Sequence, residues 1–396
     1  MNEVGKQLQR LGFAAVFMLA ASGASAQLRE SSTGQRNLAC GSASAINDGW
    51  PTATPESVGL DGPRLCGIAA RLAATNANIH AVIVVRHGKL VFEQYFPGYD
   101  EPWGMGDGPH EFDATTKHDM RSVSKSVVSL LVGIAIDREL IKSADEAVVK
   151  FFPDYSALKS PGWDNITLRH LLTMSSGIQW DENRAWKDPQ NDEPHLGSEA
   201  DPYRYVLSRP IAAPPDTVWN YNGGGTDLLG NIIERVSGQS LEAFAREALF
   251  APLGISDWEW MKYRNERIAS AAGLRLRPRD AAKIGQLVLN KGAWNGKQIV
   301  SPKWIEQSVT PRFQAIGYFG GLFYYGQQWW MGRTLSGDKD VKWIAAQGLG
   351  GQRIFVVPEL DLVAMTTSGL YGSGQQGEAA LDILANFIIP YARDTR

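Results

Sequence analysis

The stretch Val127 to Ile136 limits the fold more than any other part of this chain. Val127, Val128, Leu130, Leu131, Val132, Ile134 and Ile136 leave almost no polar face. A helix apolar nearly all round belongs in a protein's centre, so the rest of the chain has to wrap it. Its first turn carries Ser122-Val123-Ser124-Lys125. Three residues apart on a helix, a hydroxyl and an amine share one face. Serine is a weak nucleophile unless a base stands beside it, and a lysine is such a base if burial lowers its pKa. The positive end of the helix dipole would also favour negative charge developing at that serine. Ser-x-x-Lys occurs twice more, at Ser156 to Lys159 and Ser336 to Lys339. The first runs into Ser160-Pro161-Gly162 and the second is built of turn residues, so neither opens a buried helix.

Strand signals sit at both ends of the chain. His80 to Val85 and Leu90 to Phe96 flank His87-Gly88-Lys89, a hairpin pattern. Arg353 to Val357 and Leu362 to Thr366 flank Pro358 to Asp361 in the same way. Helical periodicity marks Asp61 to Asn76, Leu228 to Val236, Leu241 to Leu249, Arg279 to Leu289 and a terminal segment, Glu378 to Arg393. The predicted fold class is α+β: an antiparallel β-sheet flanked by helices, with an inserted, mainly helical domain. Residues 61–140 and 310–396 would form the sheet domain and 141–309 the helical one. Residues 27–60 read as a wrapping or mobile arm. A cleft between the lobes is the natural ligand site.

The first 26 residues read as a signal peptide: Lys6 and Arg10, an apolar stretch from Leu11 to Ala21, then Ala24-Ser25-Ala26. A periplasmic or secreted protein without stable membrane insertion is therefore expected. Cys40 and Cys66 would both be exported, and are equally compatible with a disulfide and with reduced, buried thiols. The formal charge of −3, with no concentrated basic segment, argues against nucleic acid as a partner.

Three further segments bear on Ser122. Tyr221 stands in Trp219-Asn220-Tyr221-Asn222-Gly223-Gly224-Gly225, directly before a helix. It suits either a proton relay in a cleft or aromatic packing at a helix entrance. Gly348-Leu349-Gly350-Gly351-Gln352 enters a strand, and reads either as a turn or as a source of backbone donors. In the second case the N–H groups of Gly351 and Ser122 would form an oxyanion hole. His170 to Trp180 reads as a structural helix end, with His170 a core histidine and Trp180 at the cleft edge. Trp186, Trp219, Trp329 and Trp330 are further candidates for the cleft wall, against a background of ordinary core packing.

Together these blocks resemble the β-lactamase-related serine hydrolases: class C β-lactamases, D,D-peptidases, family VIII esterases and 6-aminohexanoate-dimer hydrolases. The resemblance runs over about residues 50 to 393, through Val85 to Lys89, Ser122 to Lys125, Leu171 to Gly177, Tyr221 to Gly230, Gly273 to Leu289 and Gly350 to Pro358. It implies Ser122 as nucleophile, Lys125 as base and Tyr221 as proton relay, with no metal or organic cofactor. Asn222, Gly350, Gly351, Gln352 and Trp180 are the remaining candidates for oxyanion or substrate contact. Two departures stand out. The family's Tyr-x-Asn has Gly223 in its third place, and its Lys-Thr-Gly or His-x-Gly is Gly348-Leu349-Gly350. Both losses weaken the case for β-lactam or D-alanyl substrates and leave esters or short amides as the expected small-molecule partners. H-E-x-x-H and G-x-S-x-G are both absent. A non-hydrolytic binding or sensor protein on the same fold is the reading from another class.

Overall fold

The computed structural model describes residues 40–393, apart from Asp107, Lys159, Phe319, Gly320 and Asp338. The signal-like segment 1–26 lies outside these residues. Among the described residues, no helix is long and apolar enough to cross a membrane.

Eight strands form one antiparallel sheet: β1 (Ile79–Arg86), β2 (Lys89–Tyr95), β3 (Phe313–Gln314), β4 (Tyr324–Tyr325), β5 (Trp330–Ser336), β6 (Lys339–Gly348), β7 (Gln352–Val357) and β8 (Leu362–Ser368). Their order is β3-β4-β5-β6-β7-β8-β1-β2. The expected antiparallel sheet is thus present, with the first hairpin docked beside the last strand. His87 and Gly88 both have positive φ, the conformation a tight hairpin turn between β1 and β2 needs. β1 pairs with β8 from Arg86↔Leu362 to Ala81↔Thr367, and the register shifts between Ile79 and Ala81. The bulge therefore falls at His80.

Four helices have twelve or more residues among those described: α1 (Gly62–Thr75), α2 (Val123–Asp137), α3 (Gly223–Ser237) and α4 (Pro278–Leu289). Asp61 caps α1 by accepting from the Arg64 N–H, and Asn76 ends it in a left-handed conformation. Every residue of α2 from Val123 to Ala135 is buried. Its serines are satisfied there. Ser126 donates to Gln328 O at 2.6 Å and Ser129 to Gln327 O at 2.7 Å. Helix α4 falls within the span assigned to the helical domain, yet it lies on the sheet. A Cβ at Gly285 would stand 2.7 Å from both Ile354 on β7 and Val363 on β8.

Two sequence expectations need correction. Glu378 to Arg393 is not one regular helix. It is an α-helical turn at Ala379–Ile383, a widened π turn at Leu384–Ile388 and a tight turn at Ile389–Tyr391, where Pro390 supplies no N–H. Leu241 to Leu249 likewise passes from α-helix (Leu241–Ala245) to a π turn (Arg246–Phe250). From residue 40 onward the arm lies against the protein. Ser44 donates its N–H and hydroxyl to Glu93 on β2, and Arg279 donates to Ser44 O. Cys40 and Cys66 form a disulfide, the pairing the sequence left open.

Candidate active site

Ser122 occupies the residue before α2, and the chain reaches it through a backbone constraint. Arg121 has φ +49°, a left-handed conformation uncommon for a non-glycine residue. The turn that results holds Ser122 at the helix mouth, partly exposed, while Lys125 is 1 % exposed one turn further on. Lys125 Nζ lies 3.1 Å from Ser122 Oγ and donates to Ala271 O at 3.2 Å. Tyr221 brings its ring to within 4.8 Å of Nζ. Its phenol is close enough to both Ser122 and Lys125 for each to influence its ionisation. Lys125 thus stands between Ser122 and Tyr221, the three residues that sequence placed together.

Tyr221 is held by aromatic neighbours. Trp219, Tyr318, Tyr325 and Trp330 surround it at centroid distances of 5.3 to 6.2 Å. Trp219 and Tyr318 are partly exposed, which gives Tyr221 an aromatic flank facing outward. The other tryptophans divide: Trp180, Trp329 and Trp330 are buried, and Trp186 is 64 % exposed.

Glu182 is the residue that sequence reasoning missed. Its Oε2 accepts from Gly223 N and from Trp180 Nε1, both at 2.6 Å. A Cβ at Gly223 would lie 3.1 Å from that oxygen and 3.8 Å from Lys125 Nζ. A carboxylate thus stands beside the lysine, at the position whose side chain the glycine omits. The only sequence signal was the acidic pair Asp181-Glu182 after Trp180, ten residues past the His170 helix.

This changes the electrostatics expected of Lys125. Burial pulls its pKa down, but the Tyr221 oxygen, Glu182 and Glu193 oppose it and raise the group above its ordinary value. Tyr221 is raised as well, by burial, against the pull of Lys125. Glu193, pressed by burial and by Glu182, is pushed up to about 7. The sequence left the resting state of Lys125 open; in the structure the lowering by burial is outweighed, because acidic side chains accompany the lysine.

Several candidates turn out to serve the scaffold. Asn222 caps α3, accepting from Gly225 N at 2.9 Å. Trp180 packs under α3 and orients Glu182. Gln352 donates to Leu349 O and Ser368 O and accepts from Ser368 N, so its amide is consumed within the turn. Gly351 has φ +98° and directs its N–H at Gly348 O, 3.3 Å away. Gly350 donates to Gln376 Oε1 at 2.9 Å. Neither glycine amide is therefore available as an oxyanion donor. Among the described residues, the N–H groups of Ser122 and Leu349 have no intramolecular acceptor. Gly348 sets their proximity: a Cβ there would be 2.2 Å from Met120 O and 3.1 Å from Arg121 Cβ. The end of β6 is thus pressed against the turn that carries Ser122. Arg353 staples this corner, donating to Gly348 O at 2.8 Å and Gln376 O at 2.9 Å. His170 accepts the Thr167 N–H in a capping box, a structural role as expected.

A model of the Beta-lactamase family matches residues 68–386. This chain belongs to that family. Among beta-lactamase relatives it is 33% identical to lovastatin esterase of Penicillium rubens over 172 residues, 40% of this chain and 41% of the esterase. The matched region thus spans less than half the length of that relative. It is 24% identical to 6-aminohexanoate-dimer hydrolase of Paenarthrobacter ureafaciens over 337 residues, 77% of this chain and 76% of the other. A solved family VIII carboxylesterase superposes with a TM-score of 0.63 at 16% identity, over 84% of this chain and 97% of that one, a likeness of fold.

Proposed function

We propose that this serine hydrolase of the beta-lactamase family cleaves carboxylic esters or short amides through an acyl-enzyme on Ser122. The observation that carries the reading is Lys125 Nζ at 3.1 Å from Ser122 Oγ, with the Tyr221 ring centroid 4.8 Å from the same nitrogen. One proton has to leave the Lys125–Tyr221 pair before the pair can act as a base. Neutral Lys125 then takes the Ser122 proton as Oγ bonds to the substrate carbonyl carbon. The carbonyl electron pair moves onto its oxygen, which the N–H groups of Ser122 and Leu349 receive. Tyr221 delivers a proton to the leaving alcohol or amine as the tetrahedral species collapses. Water repeats the sequence on the acyl-enzyme and frees the acid.

Glu182 supports esters and short amides over β-lactams or D-alanyl peptides. Those substrates present a carboxylate, and like charge close to Lys125 would repel it. The names of the relatives, an esterase and a 6-aminohexanoate-dimer hydrolase, point the same way. The outward-facing aromatic flank at Trp219 and Tyr318 suits a flat or apolar acyl group. Export to the periplasm or medium is part of the proposal, supported by the signal-like first 26 residues and the Cys40–Cys66 disulfide.

The test is fluorophosphonate labelling with the adduct mapped by peptide mass spectrometry, alongside hydrolysis of p-nitrophenyl esters, 6-aminohexanoate oligomers and nitrocefin. Labelling of Ser122 that disappears in Lys125→Ala, with ester or amide turnover exceeding nitrocefin turnover, is the expected result. An adduct on another serine would move the site. Dominant nitrocefin turnover would reverse the substrate ranking.

A further inference from the structure

A second cluster of reactive side chains lies away from Ser122 and takes no part in the chemistry above. His80 stands at the bulge of β1, Asp100 ends the short strand Gly98–Asp100, and His118 opens the strand His118–Asp119. All three are buried, at 0, 4 and 1 % exposure. One ligating atom from each lies within 4.8 Å of the other two. His80 Nδ1 faces His118 Nε2 at 2.9 Å, and Asp100 Oδ2 is 3.6 Å from His118 Nε2.

The surrounding hydrogen bonds fix where the ring protons are. Asn78 Nδ2 donates to Tyr99 O and Gly369 O, while its Oδ1 accepts from Tyr99 N. The amide is therefore oriented by backbone, and the oxygen is what faces His80 Nε2, at 3.1 Å. That nitrogen has to carry a proton. His118 Nδ1 faces the Asp119 carbonyl oxygen at 3.1 Å, so it too carries one. In two neutral imidazoles the inner nitrogens, His80 Nδ1 and His118 Nε2, then both present lone pairs. Lone pairs opposed at 2.9 Å in a dry interior repel unless a positive charge lies between them. The remaining oxygen of the carboxylate, Asp100 Oδ1, is buried without a hydrogen-bond partner. Groups of this kind call for a cation.

We propose that His80 Nδ1, His118 Nε2 and the Asp100 carboxylate bind a divalent ion of the zinc type. Two imidazoles and a carboxylate are a zinc donor set, with a fourth place left for water or a backbone carbonyl. Donors at zinc bond lengths in a tetrahedron sit about 3.3 Å apart, so the 2.9 and 3.6 Å spacings need to adjust by a few tenths of an ångström, and the His80–Asp100 pair, within 4.8 Å, by up to about 1.5 Å. The outer hydrogen bonds to Asn78 and Asp119 are the contacts that orient metal-bound histidines and raise their basicity. The ion would tie β1 to the segment that runs, four residues after His118, into Ser122. It would act there as a structural brace, since the hydrolytic residues need no metal.

The experiment measures metal in the full chain as purified without chelator. The chain is then refolded after chelation and titrated with Zn2+, and separately with Co2+ followed by its visible absorption. Wild type is expected to hold about one equivalent and to gain thermal stability with Zn2+. Asp100→Asn and His118→Gln are expected to lose the Co2+ absorption and the Zn2+-dependent stabilisation. Wild type that retains no more than about a tenth of an equivalent after refolding with Zn2+ would overturn the proposal and leave a shared proton as the positive charge. Undiminished binding in both variants would overturn it equally. Should either variant fail to fold, the wild-type titration decides alone.

Discussion

Two glycine-rich stretches border Ser122 and look alike in sequence, yet their glycines do different work. In Gly223-Gly224-Gly225 the backbone is ordinary right-handed helix, the first turn of α3. There the missing side chains make room: Gly223 for the Glu182 carboxylate and Gly224 for the Trp180 ring. In Gly348 to Gly351 two of three glycines adopt positive φ, +82° at 350 and +98° at 351. These are required by a turn that few L side chains could follow. Gly348 has no positive φ and is needed because Met120 O stands where its Cβ would be. The first stretch tunes the charge beside Lys125, and the second brings backbone up to the turn that carries Ser122. Glycine content shows neither role, because one is a matter of neighbours and the other of dihedral angles.

The sharpest way to break this comparison is at Leu349, whose side chain is 53 % exposed and whose N–H is the proposed donor. Leu349→Pro removes the N–H and is expected to lower kcat by roughly 10²–10³-fold, against little change in Leu349→Ala. Equal rates in the two variants, measured with a p-nitrophenyl ester, would remove Leu349 from the oxyanion hole. A smaller effect separates the two stretches by stability. Gly348→Ala forces a Cβ against backbone and is expected to cost roughly 1–3 kcal/mol in urea unfolding. Gly225→Ala meets Leu171 at 3.4 Å inside a helix, where alanine is favoured, and is expected to change stability by less than about 1 kcal/mol. Similar losses at both sites would mean that the stretches do not differ as described.

The smallest effect is the most specific to charge. Glu182→Gln removes the carboxylate that helps to hold Lys125 as a cation. A lysine pKa that is raised by negative neighbours falls when one is neutralised, so the free base appears at lower pH. The acid limb of kcat/KM against pH should move down by about one pH unit. A limb that stays in place, with activity retained, would assign Glu182 to packing of Gly223 and Trp180 alone.

Legibility in the sequence followed the range of the interactions. The hairpin at His87-Gly88, the capped helix α1 and the apolar helix α2 are set by residues a few positions apart, and their patterns survive in one dimension. Ser122 and Lys125 are likewise one turn apart. Tyr221 was found through its resemblance to the family's second motif. Glu182 was not, because nothing near it in sequence shows that Gly223 leaves it a place beside Lys125. Gly351, Gln352 and Asn222 had suitable chemistry for a site. They spend it on the turn and the helix cap, since a buried amide takes the nearest partner.

What the sequence determined by itself is the set of local elements, their burial and the Ser122–Lys125 pair at the mouth of a central helix. Periodicity and capping act within a turn or a hairpin, so residue order suffices to specify them. Only the tertiary structure decided which amides remain open around Ser122, that Cys40 pairs with Cys66, and that an acid accompanies Lys125. It alone brings His80, Asp100 and His118 together. Each of these depends on approaches of a few ångströms between segments tens to hundreds of residues apart. Close packing and the desolvation of charge turn those distances into chemistry, and neither is a property of residue order.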